Sequence, residues 1–211
     1  MNFHKRSVPD RAIDVHIADT TAALSRFVHP GHAAAIWRRQ MPPDVQSWLD
    51  RVHPDNLPRG RLALSLDDVW KATQDLFDLA ELPVGPERDW LQRDIVELSH
   101  LFSNVLSARY LKMRLEVITT NACRKFHIDA VTARMVCTYR GSGTQYGVSI
   151  DGNDPRRVFT VQTGAPIMLR GSLWPVSKPP QLVHRSPPID GTGETRLVLV
   201  LDQVADLEET E

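Results

Sequence analysis

Cysteine is nearly missing from this chain: Cys123 and Cys137 are its two thiols among 211 residues. Two cysteines cannot build the disulfide framework of a small secreted domain, and their separation is not that of a zinc finger. We read them as small buried hydrophobes in a reducing compartment. Surplus charge is missing too, since 25 Lys and Arg stand against 26 Asp and Glu, for a formal net charge of −1. Without a basic surplus to neutralise phosphates, nucleic acid is a poor partner. No apolar run approaches the roughly 20 residues that would cross a bilayer, and the opening "MNFHKRSVPDRAIDVH" has no apolar core of the secretion-signal kind. Internal repeats and low-complexity tracts are also absent. These absences lead us to expect a cytoplasmic protein with neither nucleic acid nor membrane as partner; oligomeric state leaves no mark in the sequence.

What is present divides the chain in two. Hydrophobic residues make up 42%, enough to fill the core of one domain of generous size. The first half has helical periodicity. "DVQSWLDR" (44–51) follows Pro42 and Pro43 and starts at a plausible helix N-terminus. Ser65 with Asp68 resembles a capping box, and Leu66, Val69, Trp70, Thr73, Leu76, Phe77 and Ala80 recur at helical spacing until Pro83. A third helix opens near Pro86 and carries Leu91, Ile95, Leu98, Phe102, Val105 and Leu106 on one face. Ala33–Trp37 reads as a short edge strand.

From residue 111 onward the period shortens to two. Strands are expected at 114–120, 133–139, 157–161, 165–171, 181–186 and 195–202, divided by Gly, Pro, Asn and Asp, with "RGSG" as a turn. Many short strands with polar connections suggest a sandwich or jelly roll. The expected fold is α+β in one compact domain. A mainly helical buttress over 1–110 packs on one side of a β core over 111–202, followed by an acidic tail, 203–211.

The chemistry concentrates in "RKFHIDA" (124–130). His127 and Asp129 are two apart, so on a strand they share a face. A third ligand is available in His184, on a late strand that a jelly roll can bring beside an early one. Two imidazoles and a carboxylate on one face form the facial triad suited to non-haem Fe(II); Zn²⁺ accepts the same donors. Arg196 opens the last strand, 12 residues after His184. An arginine on an otherwise apolar strand costs desolvation unless it meets an anion, and its planar guanidinium matches a carboxylate.

Together, His127-x-Asp129, His184 and Arg196 resemble the double-stranded β-helix (jelly-roll, cupin-like) 2-oxoglutarate and Fe(II)-dependent dioxygenases, and most of all their prolyl-hydroxylase-like group. "RMVCTY" (134–139), "GSGTQY" (141–146), "TGAPIML" (163–169) and "HRSPPIDGTGETR" (184–196) look like that group's successive motifs. The resemblance spans residues 112–202. Most of the chain also resembles an uncharacterised bacterial family marked by "CRKFHIDAVTARMVCTYRGSGT" and a later "VHRSPP". The resemblance implies a metal held by His127, Asp129 and His184, with 2-oxoglutarate as co-substrate. It also implies that Arg196 and Tyr139 hold the co-substrate's distal carboxylate. Strand parity then places Met135 and Cys137 on Tyr139's face as pocket lining.

The implied reaction is hydroxylation of an unidentified substrate, either a small molecule or a protein side chain. Its alternative is a metal-binding or sensing protein of the same fold without turnover, with the link to zinc homeostasis that the bacterial family implies. Two further rivals are a cupin-like isomerase that uses the triad without 2-oxoglutarate, and an interaction protein with a vestigial site. Arg134 is expected in an ion pair, and Arg185 and Ser186 are expected to face outward. His4, His16, His29, His32, His53 and His100 receive no role, and "HPGH" (29–32) is read as a turn.

Overall fold

The structure, a computed structural model, describes residues 14–150, 152–176 and 181–207. Expectations for the opening segment, His4 included, and for the last four residues lie outside the described residues. The described residues form two sheets and three α-helices, joined in places by short 3-10 turns. In order, these are β1 (Val15–Ala18), β2 (Ala34–Trp37), α1 (Pro43–Arg51), β3 (Gly60–Ser65), α2 (Val69–Leu79), α3 (Pro86–Leu106), β4 (Tyr110–Ile118), β5 (Ala133–Arg140), β6 (Gln145–Val148), β7 (Phe159–Thr160), β8 (Pro166–Arg170), β9 (Leu182–Arg185) and β10 (Arg196–Val204). The large sheet has the order β1-β2-β8-β5-β10-β4-β3, and the small sheet the order β7-β6-β9.

Alternation along the strands builds two cores. Leu111, Met113 and Leu115 of β4, Met135, Cys137 and Tyr139 of β5, and Leu197, Leu199 and Leu201 of β10 bury one face of the large sheet. Onto that face pack Leu91, Ile95, Leu98 and Phe102 of α3, with Phe77 of α2 and Leu49 of α1. Each such side chain contributes about 1.5–3 kcal/mol by leaving water. Helix α3 begins at Pro86, with Glu87 and Asp89 in its first turn, and ends on Ser107 in the left-handed conformation, as helix-end chemistry favours. On the sheet's other face, Val136, Ile167, Leu169, Val198 and Val200 form a smaller core with Tyr146 and Leu182 of the small sheet. The helices therefore back one face of the large sheet, and the small sheet faces the other.

Several elements depart from the sequence reading. β2 is not an edge, because it lies between β1, its parallel neighbour, and β8. β1 is only four residues long and β3 runs straight into the turn before α2, so neither stands out by pattern. With β2 they show that the first half is more than a helical buttress, since β1 and β3 are the two edges of the large sheet. Beyond the "RGSG" turn, where no strand is expected before residue 157, lies β6, and it contains Gly147. A Cβ there would lie 2.5 Å from the Pro155 ring and 2.6 Å from the Arg157 carbonyl, so close backbone approach explains a glycine inside a strand. The strand expected at 157–161 contracts to Phe159–Thr160. The acidic tail starts later than residue 203, because Gln203 and Val204 still pair with β4.

Candidate metal centre

His127 belongs to no strand, yet its backbone forms an antiparallel bridge with His184 of β9. The His127 N–H donates to the His184 carbonyl, and the reverse bond is also made, each at 3.0 Å. Residues bridged in this way project side by side, and the two imidazole centroids lie 4.6 Å apart. Asp129 follows in a loop held by hydrogen bonds from the Ser172 N–H to the Asp129 carbonyl (2.9 Å) and from Leu173 to Val131 (3.1 Å). Gly171 makes that clamp possible, because a Cβ would sit 1.8 Å from the Val131 carbonyl oxygen and 2.8 Å from that of Asp129.

The three sequence-selected residues therefore meet. One ligand atom from each of His127, Asp129 and His184 lies within 4.8 Å of the others, and this is the one such group of His, Cys, Asp or Glu among the described residues. His127 Nε2 is 3.5 Å from Asp129 Oδ1, and His184 Nε2 is 3.0 Å from Oδ2. The donor set fits a cation. Asp129 Oδ2 is buried without a hydrogen bond despite its neighbour. His127 Nδ1 lies 2.8 Å from the Lys125 carbonyl, a contact that keeps the proton on Nδ1 and turns the Nε2 lone pair inward.

Arg134 supports the carboxylate from behind. It donates to Asp129 Oδ1, and through Nε and Nη2 to Asp202 at 2.6 and 2.8 Å, the ion pair expected of it. Burial would raise the Asp129 carboxyl pKa, but contact with His127 and His184 and the Arg134 charge outweigh it and hold the group well below the usual carboxylate range. The Asp129 contact raises His127, whereas burial lowers His184. The cluster thus offers a formed carboxylate and a buried, uncharged imidazole.

Arg196 lies deeper on the same face of the large sheet, and 1% of it is exposed. Its Nε donates to the Ser142 carbonyl at 2.7 Å, Nη1 to Ser186 Oγ at 3.2 Å and Nη2 to Thr138 Oγ1 at 3.3 Å. All three acceptors are neutral. Among the described residues no carboxylate comes within ion-pair distance of this guanidinium, and burial pushes its pKa down to about 10. Ser186, expected to face outward, instead touches Arg196. Arg185 does turn aside, donating to Gln145 at 2.8 Å and stacking 4.4 Å above the Phe126 ring.

Tyr139, Met135 and Cys137 are not at this site. Arg134 and Thr138 are the β5 side chains that meet the triad's support and Arg196, so odd-numbered residues of β5 point the opposite way. Tyr139 donates its hydroxyl to Asp94 Oδ2 at 2.6 Å, and Arg39 clamps the same carboxylate at 2.5 and 2.7 Å. Met135, Cys137 and Tyr139 all belong to the helix-facing core. The positions missed in the sequence, Thr138, Ser142 and Ser186, carried no signal beyond parity with Arg134 and proximity to His184.

The profile of the family described as "Protein of unknown function (DUF1826)" matches residues 18–202. The chain belongs to the DUF1826 family. No curated protein matches this DUF1826 member. Among solved structures, the rice dioxygenase for auxin oxidation is similar at a TM-score of 0.53 and 12% identity, covering 92% of this chain and 83% of that one. Dioxygenase for auxin oxidation 1 from Arabidopsis thaliana, solved as a complex with 2-oxoglutarate, has a TM-score of 0.52 and 10% identity, covering 95% of each chain. At these identities the likeness is one of fold. A Pseudomonas putida prolyl 4-hydroxylase is matched more loosely, at a TM-score of 0.44 and 13% identity, covering 87% of this chain and 98% of that one.

Proposed function

We propose that this DUF1826 protein is a non-haem Fe(II), 2-oxoglutarate-dependent dioxygenase on a double-stranded β-helix, oxidising a small molecule or a protein side chain. The observation that carries this reading is a pairing: two imidazoles and a carboxylate converge at one point, and nearby lies a buried guanidinium that no carboxylate among the described residues pairs with. Fe(II) held by His127, Asp129 and His184 would supply the oxygen chemistry, and Zn²⁺ would fit the same donors.

This chain's own residues do the rest. The Lys125 carbonyl fixes the His127 tautomer, and Arg134 orients the Asp129 carboxylate. Ser186 lies two residues beyond His184, about 7 Å along an extended chain, and Arg196 reaches back to Ser186. That span suits a five-carbon diacid with its keto-acid end at the triad and its far carboxylate on Arg196, where Thr138 and Ser186 hydroxyls line the same spot. The protein thereby orients a co-substrate and keeps its distal carboxylate out of water. A similar fold solved with 2-oxoglutarate supports the assignment. The unpaired Cys123 and Cys137 suit the reducing interior of a cytoplasm, and no helix among the described residues is long and apolar enough to cross a membrane.

The test is anaerobic addition of Fe(II) and then 2-oxoglutarate. A weak visible charge-transfer absorption that needs both, followed on admitting oxygen by slow formation of succinate, is expected. Tight retention of Zn²⁺ through chelators, with no such absorption, would instead establish a metal-binding or sensing role without turnover.

A further inference from the structure

On the triad's side of the large sheet lies a cleft of about 470 Å³, lined by Arg61, Lys112, Arg114, Arg134 and Asp202 among others. This size lies within the range of small-ligand sites. Register explains why the charges gather. Arg61 of β3 stands opposite Arg114 of β4, Lys112 opposite Asp202 of β10, and Asp202 opposite Arg134 of β5. These positions share the face of Val200 and Arg196. The chain as a whole is almost neutral, so four basic side chains lining one cleft are a local concentration.

Internal pairing does not use up the charges of Arg61 and Arg114. Asp202 receives Arg134 and also Arg114, the latter at 3.0 Å, while Glu116 reaches Arg114 at 3.4 Å. Arg114 Nε is nevertheless buried with no acceptor. Arg61 has no carboxylate within ion-pair distance among the described residues, although it directly faces Arg114. Like charges opposite one another on adjacent strands are destabilising, and an oxyanion between them would remove that cost. The ion-pair chain Arg114–Asp202–Arg134–Asp129 connects this cleft to the triad. The cleft adjoins the Arg134 end of β5. Arg196 touches β5 at Thr138, four residues along, or about 13 Å.

We infer that this cleft binds the anionic part of the substrate, a carboxylate or phosphate group, across Arg61, Lys112 and Arg114, with the carbon to be oxidised reaching past Arg134 to the triad. The inference rests on the dioxygenase reading for its direction, but anion binding can be measured without metal or 2-oxoglutarate. Metal-free full-length protein is titrated calorimetrically with inorganic pyrophosphate and, separately, with citrate. At least one probe should bind at a single site, weakened by salt. Stronger binding of pyrophosphate marks a phosphate-bearing substrate, and of citrate a carboxylate-bearing one. Arg61→Ser with Lys112→Gln should weaken binding about tenfold or more. Arg61→Glu alone, on an exposed side chain, should do the same if the double variant does not fold. Arg196→Met should leave probe binding within about twofold. The inference is overturned if neither probe binds, if Arg61→Glu binds as tightly as the native chain, or if Arg196→Met is the change that removes binding. None of these results bears on the visible absorption and succinate assay, so the two readings fail separately.

Discussion

Replacing Arg196 with methionine separates the guanidinium's two effects, because one concerns folding and the other ligand binding. Burial pushes the guanidinium pKa down to about 10, equivalent to about 3 kcal/mol lost by the charged form. Against this stand three hydrogen bonds, to Ser142, Ser186 and Thr138, each worth about 1–2 kcal/mol. The two contributions nearly cancel. Arg196→Met should therefore leave the ligand-free protein within about 2 kcal/mol of native stability, a change in melting temperature of no more than about 4–8 °C. Ligand stabilisation behaves differently. With Fe(II) bound under anaerobic conditions and 2-oxoglutarate at a hundred times its Kd, the native protein should gain about 2.7 kcal/mol, or about 5–10 °C. Without the guanidinium, affinity should fall by at least about 30-fold, as for one partner of a buried charge pair, and most of that gain disappears. The assay is a pair of anaerobic melting curves, with and without 2-oxoglutarate, for both proteins. A full ligand-induced shift in Arg196→Met, or loss of its metal binding, would refute the reasoning.

Three other outcomes follow from the same structure. Tyr139→Phe removes the hydroxyl that donates to Asp94 and should cost about 1–2 kcal/mol of stability while leaving 2-oxoglutarate affinity unchanged by titration. A tenfold loss of affinity would return Tyr139 to the pocket. Gly171→Ala forces a Cβ to within 1.8 Å of the Val131 carbonyl; the 129–131 loop must move, and metal affinity should drop at least about tenfold by competition with a chelator. Cys123 is exposed, against the expectation that both thiols are buried; in thiol titration of the folded protein it should react while buried Cys137, pushed up to about 12 by burial, stays protonated and silent until denaturant is added. Two fast-reacting thiols in the native state would contradict the placement of β5.

The triad was legible because its chemistry is local at one end and distinctive at the other. His127 and Asp129 carry the spacing of an extended chain, and His184 stands out within an apolar strand. No spacing could show the bridge that joins 127 to 184, since it depends on contacts between distant segments. Arg196 was legible for a similar reason: a charge among Leu and Val needs an explanation. Tyr139 was misplaced because parity says which residues share a face but not which face meets the site. Only the pairing of β5 with β10 decides that, and it puts Thr138 beside Arg196 and Tyr139 against the helices. The helices announced themselves through long apolar stripes and proline boundaries. β1 is too short to show a period, β3 merges into a helix entry, and β6 conceals itself behind Gly147. Opposed basic side chains such as Arg61 and Arg114 lie far apart in sequence, so the cationic cleft exists only once β3 and β4 are paired.

The dioxygenase reading depends on His127, Asp129 and His184 holding one metal ion together. Anaerobic equilibrium dialysis with Fe(II), comparing the native chain with His184→Ala and Asp129→Ala, tests it most directly, with circular dichroism confirming that each variant is folded. One tightly bound ion per native chain is expected, with affinity lowered on the order of 100-fold in each variant. Native-like binding by folded His184→Ala would contradict it.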